Sequence, residues 1–236
     1  MSNSKSKLYV VATPIGNYDD ITLRAVNVLK EADLIIMEER KSGHRLLRHL
    51  GIKKDFELLN EHNEKEQTYA LFQKLLYGNI SAALISDAGT PLLADPGNNL
   101  VHVCNQNGIQ VIPVPGPSSI MTALMASGLH MQNFLYYGFL PAKKEDRQEA
   151  LKKIAYTPYD LIFLDTPYRL KQVLNDMKTV LGKNREVIVC YKLTMPEEKI
   201  LWGNLEEMCF MTSELPKGEF VILLKKYKKK KKIFRY

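Results

Sequence analysis

The stretch I-S-A-A-L-I-S-D-A-G-T-P-L-L-A-D-P-G, residues 80–97, decides how the chain is read. It opens on a short apolar run, residues 80–86, too brief for a helix and bounded by turn residues, which reads as a buried strand. A loop follows in which Gly89 and Gly97 supply permissive backbone while Pro91 and Pro96 fix its path. Gly97 then opens a helical segment that stops at Gly108. Strand, fixed loop and helix in that order make one βα unit of a parallel sheet.

The same unit recurs on either side. Strands are expected at residues 7–12, 33–37, 56–59 and 109–114, with helices at 21–32, capped by Asp20, and at 64–77, capped by Asn63 with Glu66 as its capping-box partner. After Pro115-Gly116-Pro117 a helix of small residues, 118–127, ends at Gly128 and the pattern starts afresh. Strands are expected at 134–139, 161–165, 186–192, 199–203 and 219–226, around helices at 144–155, 168–181 and 205–211. Several of these strands lack an intervening helix, so the second sheet should be mixed. The expected class is α/β, with one α/β domain over residues 1–115, a second over 116–226, and a basic tail at 227–236.

Composition supports a folded chain: 236 residues, 45% apolar and 25% charged, exclude global disorder. The formal charge of +7 is misleading, because residues 225–236 hold seven Lys, one Arg and no acid, leaving 25 bases against 26 acids elsewhere. The basicity belongs to the tail, not to the folded surface. Cys104, Cys190 and Cys209 are odd in number and far apart, which suggests neither a disulfide framework nor a zinc site. No apolar run approaches the roughly 18 residues that span a bilayer, and M-S-N-S-K-S-K leads into too short a stretch for a secretory signal. These features imply a cytoplasmic protein with no membrane partner.

The residues that bear chemistry sit in loops after strands, where open α/β sheets bind ligands. Thr13-Pro14-Ile15-Gly16-Asn17, Ser86-Asp87-Ala88-Gly89-Thr90-Pro91 with Asp95-Pro96-Gly97, and Pro115-Gly116-Pro117-Ser118-Ser119 each pair a proline with a glycine. One such loop is ordinary turn punctuation; three at one sheet edge indicate a site. Neither G-x-G-x-x-G nor G-x-x-x-x-G-K-[ST] is present, so the usual pyrophosphate cradles are missing. H-E-x-x-H and G-x-S-x-G are missing too, and His44, His49, His62, His102 and His130 are scattered; no metal is expected.

These loops, together with L-Y-V-V-A-T-P-I-G-N, D-I-T-L-R-A, P-V-P-G-P-S-S, G-F-L-P-A-K and G-E-F-V-I-L, resemble the tetrapyrrole-methylase-fold methyltransferases from about Leu8 to Leu224. Within that family the chain is most similar to the branch that methylates ribosomal RNA. The resemblance implies a class III methyltransferase of two α/β domains with S-adenosylmethionine in the cleft between them. It further implies methyl transfer to the ribose 2′-hydroxyl of a cytidine of 16S rRNA in the 30S subunit, by a homodimer. By motif, Pro14 borders the adenosine, Ala88, Gly89, Thr90 and Leu93 line the cofactor, and Ser118 and Ser119 contact its polar end. Leu164, Tyr191 and the Lys217-Gly218 turn close it from the second domain. A neutral pocket of backbone groups and hydroxyls suits such a ligand, which carries no phosphate.

A ribose hydroxyl is a weak nucleophile and gains from a base. Glu38, Asp87 and Asp95 are the candidates, with Glu39 beside them, although Asp in turns commonly orients backbone amides instead. Arg24, Arg40, Lys143 and Arg147 are candidate RNA-phosphate contacts; a solvated helix face explains Arg24 and Arg147 equally well. The branch usually carries E-D-T-R where this chain has E-E-R-K (residues 38–41), and Y-E-S-P-H-R where it has L-D-T-P-Y-R (164–169). Two other readings stand beside the rRNA enzyme. A small-molecule tetrapyrrole methylase shares the fold, but its second loop is of the G-G-D-P type rather than S-D-A-G-T-P. A non-catalytic RNA-binding homologue is favoured by the altered 38–41 stretch. In either RNA reading the lysine tail supplies a salt-sensitive phosphate contact or merely an exposed solubilising segment.

Overall fold

The computed structural model describes residues 6–129 and 132–227. His130 and the lysines of residues 228–232 lie outside the described residues. The chain divides into two compact units, Met1–Ser119 and Ile120–Tyr236.

In the first unit five strands, β1 (Lys7–Val11), β2 (Leu34–Met37), β3 (Phe56–Leu58), β4 (Ser81–Ile85) and β5 (Gln110–Val114), form one parallel sheet in the order β3-β2-β4-β1-β5. Strand β2 is continuously apolar and β4 is so after Ser81, because both faces of the sheet are covered. Alternate side chains sort to the two sides. Val11, Ile35, Met37, Ala83 and Ile85 pack on α1 (Leu23–Glu31) and α2 (Arg40–His49). Leu8, Leu34, Ile36, Ala82 and Leu84 pack on α3 (Glu64–Gly78) and α4 (Asn98–Gln106).

Register fixes where the loops begin. Val11 pairs with both Ile85 and Val114, and Met37 pairs with Ile85 and Leu58. The carboxyl ends of all five strands therefore lie in one row, and the loops after residues 11, 37, 58, 85 and 114 leave from the same edge.

The second unit begins one residue into α5 (Ser119–Ser127) and holds β6 (Phe134–Gly138), α6 (Lys144–Ile154), β7 (Asp160–Asp165), α7 (Leu170–Leu181), β8 (Glu186–Tyr191), β9 (Lys199–Asn204), α8 (Leu205–Met211) and β10 (Phe220–Leu224). The sheet order is β6-β7-β10-β8-β9, with β6 parallel to β7 and the other pairs antiparallel, a mixed sheet as the missing helices implied. One face packs Leu161, Phe163, Val187, Val189 and Ile222 against α6, α7 and α8.

Two caps differ from expectation. Thr22, not Asp20, caps α1, its hydroxyl accepting from the Ala25 amide at 3.1 Å, because residues 18–20 form a 3-10 turn of their own capped by Asn17. Asn63 precedes α3 but makes no capping bond, nor is Glu66 its partner: its carboxamide is taken by the Asn60 amide at 2.8 Å and the Leu58 carbonyl at 3.1 Å. Helix α2 is an element without an expectation from the sequence, in which residues 38–55 are assigned to neither helix nor strand. Gly43, Leu46 and Leu47 form its buried stripe, and Gly43 lets the helix lie directly on Met37.

Candidate functional site

The three proline–glycine loops of the first unit are tied to one another by main-chain bonds. Thr13 and Gly89 form an isolated antiparallel bridge, with amide-to-carbonyl distances of 2.9 and 3.0 Å. The Thr13 hydroxyl donates to the Ser86 carbonyl at 3.2 Å, and the Ser86 hydroxyl to the Gly89 carbonyl at 3.0 Å. Thr90 Oγ1 donates to the Pro117 carbonyl at 3.2 Å, which fastens the second loop to the third. Gly89 has φ +86°, and a Cβ there would meet Ile15 Cγ2 at 3.1 Å. Conformation and space both demand glycine at that point.

Of the expected cofactor contacts, Pro14 and Gly89 are buried, Ala88, Thr90 and Leu93 are exposed, and Ser118 and Ser119 are half-buried at the start of α5. Residues 13–16, 88–91 and 115–119 contain no charged side chain. The acids stand beside these segments: Glu38 and Glu39 after β2, Asp87 just after β4, and Asp95 later in the second loop. Asp87 Oδ1 accepts from the Glu39 amide at 3.3 Å and from the Ser42 hydroxyl, so this carboxylate holds the first turn of α2 against the second loop. Glu38 is half-buried; burial first, then the charges of Asp95, Asp87, Glu61 and Glu39, raise its pKa to about 7. Burial, then the charge of Asp87, raises Asp95 to about 6. Glu61 is a member of this cluster that the sequence did not single out, because its loop follows the unexceptional strand β3. Among the described residues no group of three or more His, Cys, Asp or Glu is placed to hold a metal ion.

In the second unit Leu164 is half-buried on β7. Tyr191 ends β8 with its ring in the core, 1% exposed, and its hydroxyl donates to the Pro216 carbonyl at 2.8 Å. Its main chain is flanked by β10 on one side and β9 on the other, paired with Phe220 and Lys199, so ring and backbone are both enclosed. Gly218 lies so close that a Cβ would fall 2.7 Å from Tyr191 Oη. The Lys217 ammonium sits 4.6 Å from the centroid of the Tyr168 ring.

The four candidate phosphate contacts separate sharply. Arg24, Arg40 and Lys143 are exposed. Arg147 is not: it is fully buried, paired with Asp176 through Nη2 at 2.6 Å and Nε at 2.8 Å, while Nη1 donates to the carbonyls of Pro141 and Ala142 at 3.0 and 2.7 Å. A guanidinium so enclosed meets no phosphate, nor does it lie on a solvated helix face. Arg169 adds to the same assembly, reaching Asp165 at 3.3 Å and the Leu140 and Pro141 carbonyls at 3.0 and 2.8 Å. Asp165 and Arg169 of the D-T-P-Y-R stretch thus form an ion pair, and Arg169 holds the turn at residues 140–142 through the two carbonyls. Burial pushes the Asp165 carboxyl upward, and its amide bond from Thr166 and the charges of Arg169 and Arg147 oppose that rise.

Among the described residues no helix is long and apolar enough to cross a membrane. Comparison with known proteins agrees with the loop motifs. The family model of Tetrapyrrole (Corrin/Porphyrin) Methylases matches residues 7–209. A Haemophilus influenzae protein named Ribosomal RNA small subunit methyltransferase I is 42% identical over 227 residues, spanning 95% of this chain and 80% of the relative. Among solved structures, a conserved protein from Aeropyrum pernix K1 superimposes with a TM-score of 0.76 at 15% identity, covering 94% of this chain and 85% of its own. A Thermus thermophilus uroporphyrin-III C-methyl transferase, solved with S-adenyl homocysteine, does so with a TM-score of 0.63 at 19% identity, covering 92% and 96%. With its loops, its two sheets and most of its length accounted for in this way, the chain belongs to the Tetrapyrrole (Corrin/Porphyrin) Methylases.

Proposed function

We propose that the chain is an S-adenosylmethionine-dependent rRNA methyltransferase, acting on the ribose 2′-hydroxyl of a cytidine of 16S rRNA in the small subunit. The observation that carries this reading is the cross-bonded set of neutral proline–glycine loops beside a carboxylate raised to about 7. The loops fit the donor: their uncharged, backbone-rich surface suits adenosine and the amino-acid end, and the acids just outside them suit a cation. The names of the relatives support rRNA as the acceptor.

S-adenosylmethionine supplies a methyl group on a sulfonium, a good leaving group, so the protein's main contribution is position. Pro14, Ala88, Gly89, Thr90, Leu93, Ser118 and Ser119 hold the donor. Leu164, Tyr191 and Gly218 are assigned to it on the resemblance. Glu38, with Asp95 beside it, takes the proton of the acceptor hydroxyl; a carboxyl near 7 is well matched to that task at neutral pH. Asp87, with one carboxylate oxygen committed to Glu39 and Ser42, positions the loop.

The test is labelling of 30S subunits, isolated from a strain lacking the protein, with methyl-labelled S-adenosylmethionine. Label is expected on a cytidine ribose, and Thr90→Arg, which fills the donor loop, should abolish it while the thermal midpoint is kept. Label on a base, on tRNA or only on an added tetrapyrrole overturns the reading.

A further inference from the structure

Helix α2 carries Arg40, Lys41, Arg45 and Arg48 with His44 and His49, and no acid, in ten residues. At 3.6 residues per turn the four cations fall within an arc of roughly 140°, opposite the buried stripe of Gly43, Leu46 and Leu47. All four are exposed, and none forms an ion pair among the described residues. Elsewhere surface lysines do find acids: Lys74 with Glu57, Lys152 with Glu149, Lys183 with Glu206.

The placement also runs against helix electrostatics. Arg40 and Lys41 occupy the first turn, where the backbone dipole is positive and acids are favoured; cations there cost about 0.3–1 kcal/mol each at the surface. Stability of the helix does not explain them, whereas an external polyanion does. The side chains of Arg40, Lys41, His44, Arg45 and Arg48 line an open groove of about 550 Å³, and the Arg40 guanidinium is held 5.5 Å over the Phe56 ring. Arg40 and Lys41 stand in the chain between Glu39 and Ser42, the two residues that Asp87 of the second donor loop holds, so the first turn of α2 is fastened to that loop.

We propose that this face of α2 is the docking surface for the RNA backbone, placing a nucleotide strand against the methyl-donor loops. The inference rests on the rRNA reading above and deepens it: on a body of nearly balanced charge, the phosphate contacts are concentrated on one helix instead of spread over the surface.

The experiment compares the parent with Arg40→Gln/Lys41→Gln/Arg45→Gln/Arg48→Gln in binding 30S subunits across a salt series, with S-adenosylmethionine affinity by calorimetry as control. The expected result is at least about ten-fold weaker binding near 0.15 M salt and a log–log salt slope shallower by about 2–3, at roughly 0.7 per lost phosphate contact. Cofactor affinity should stay within about two-fold. The double variant Arg45→Gln/Arg48→Gln, away from the first turn, should give about half the slope change if the quadruple variant folds poorly. Unchanged affinity and slope in either variant, with a parent that binds, overturn the proposal and leave the rRNA reading standing. A variant that fails on intact subunits but matches the parent on protein-free 16S rRNA assigns the helix to a ribosomal protein and likewise overturns it. A parent that neither binds nor methylates subunits brings down the rRNA reading and this inference together.

Discussion

The two units hold their loops by opposite means. In the first, the loops after β1, β4 and β5 are held by main-chain bonds, one forced glycine and three hydroxyls, with no buried charge among them. In the second, the turn at residues 140–142 is held by two guanidinium groups, the buried Arg147 paired with Asp176 and the partly buried Arg169 paired with Asp165. Main-chain pairing leaves side chains free to face a ligand. A buried ion pair fixes a loop but exposes the fold to a large penalty when either partner is lost. The difference teaches that arginine in this chain has two unrelated uses, one internal on α6 and one external on α2.

The largest expected effect breaks the second device. Arg147→Met leaves Asp176 buried without its cation and takes a donor from the Pro141 and Ala142 carbonyls, of which Pro141 keeps Arg169, and should cost about 3–5 kcal/mol in denaturant unfolding. Arg147→Met/Asp176→Leu should recover most of that loss; if it does not, the carbonyl bonds and not the ion pair hold the turn. A smaller effect is expected for Gly89→Ala, where a positive φ and the Ile15 contact together cost about 1–3 kcal/mol. Donor affinity should fall at least ten-fold with it, and unchanged affinity would remove that loop from the site. The smallest concerns Glu38. Its folded pKa of about 7 exceeds the ordinary 4.5, so the folded state binds the extra proton and stability falls as pH rises from about 4.5 to about 7. Glu38→Gln should therefore be more stable than the parent at pH 8 by about 1 kcal/mol, discounted for its partial exposure, and equal to it near pH 4. In the same variant methyl transfer should drop at least about 100-fold. Parent activity should rise with pH to a plateau above about 7, and a profile flat from pH 5 to 8 would release Glu38 from the base role.

Much of the fold was legible because its signals are local. Each strand of the first sheet is a short apolar run between turn residues, and the absence of helices between later strands announced a mixed sheet. Helix α2 escaped because its apolar stripe is only Gly43, Leu46 and Leu47 amid six basic residues; the spacing i, i+3, i+4 was the available signal. Arg147 was misread because a lone arginine on K-E-D-R-Q-E looks solvated, and its partner Asp176 lies on another helix. Glu61 went unnoticed because only the fold brings it to Glu38.

The sequence by itself determined the alternation of strand and helix, the neutral proline–glycine loops and the family to which they belong, since each is written in contiguous residues. Tertiary structure alone decided which carboxylate is raised toward neutrality, which arginine is sealed inside and which helix face is left as an unpaired cationic surface. Register, desolvation and charge proximity arise between residues distant in the chain, and the local pattern of a sequence carries no measure of them.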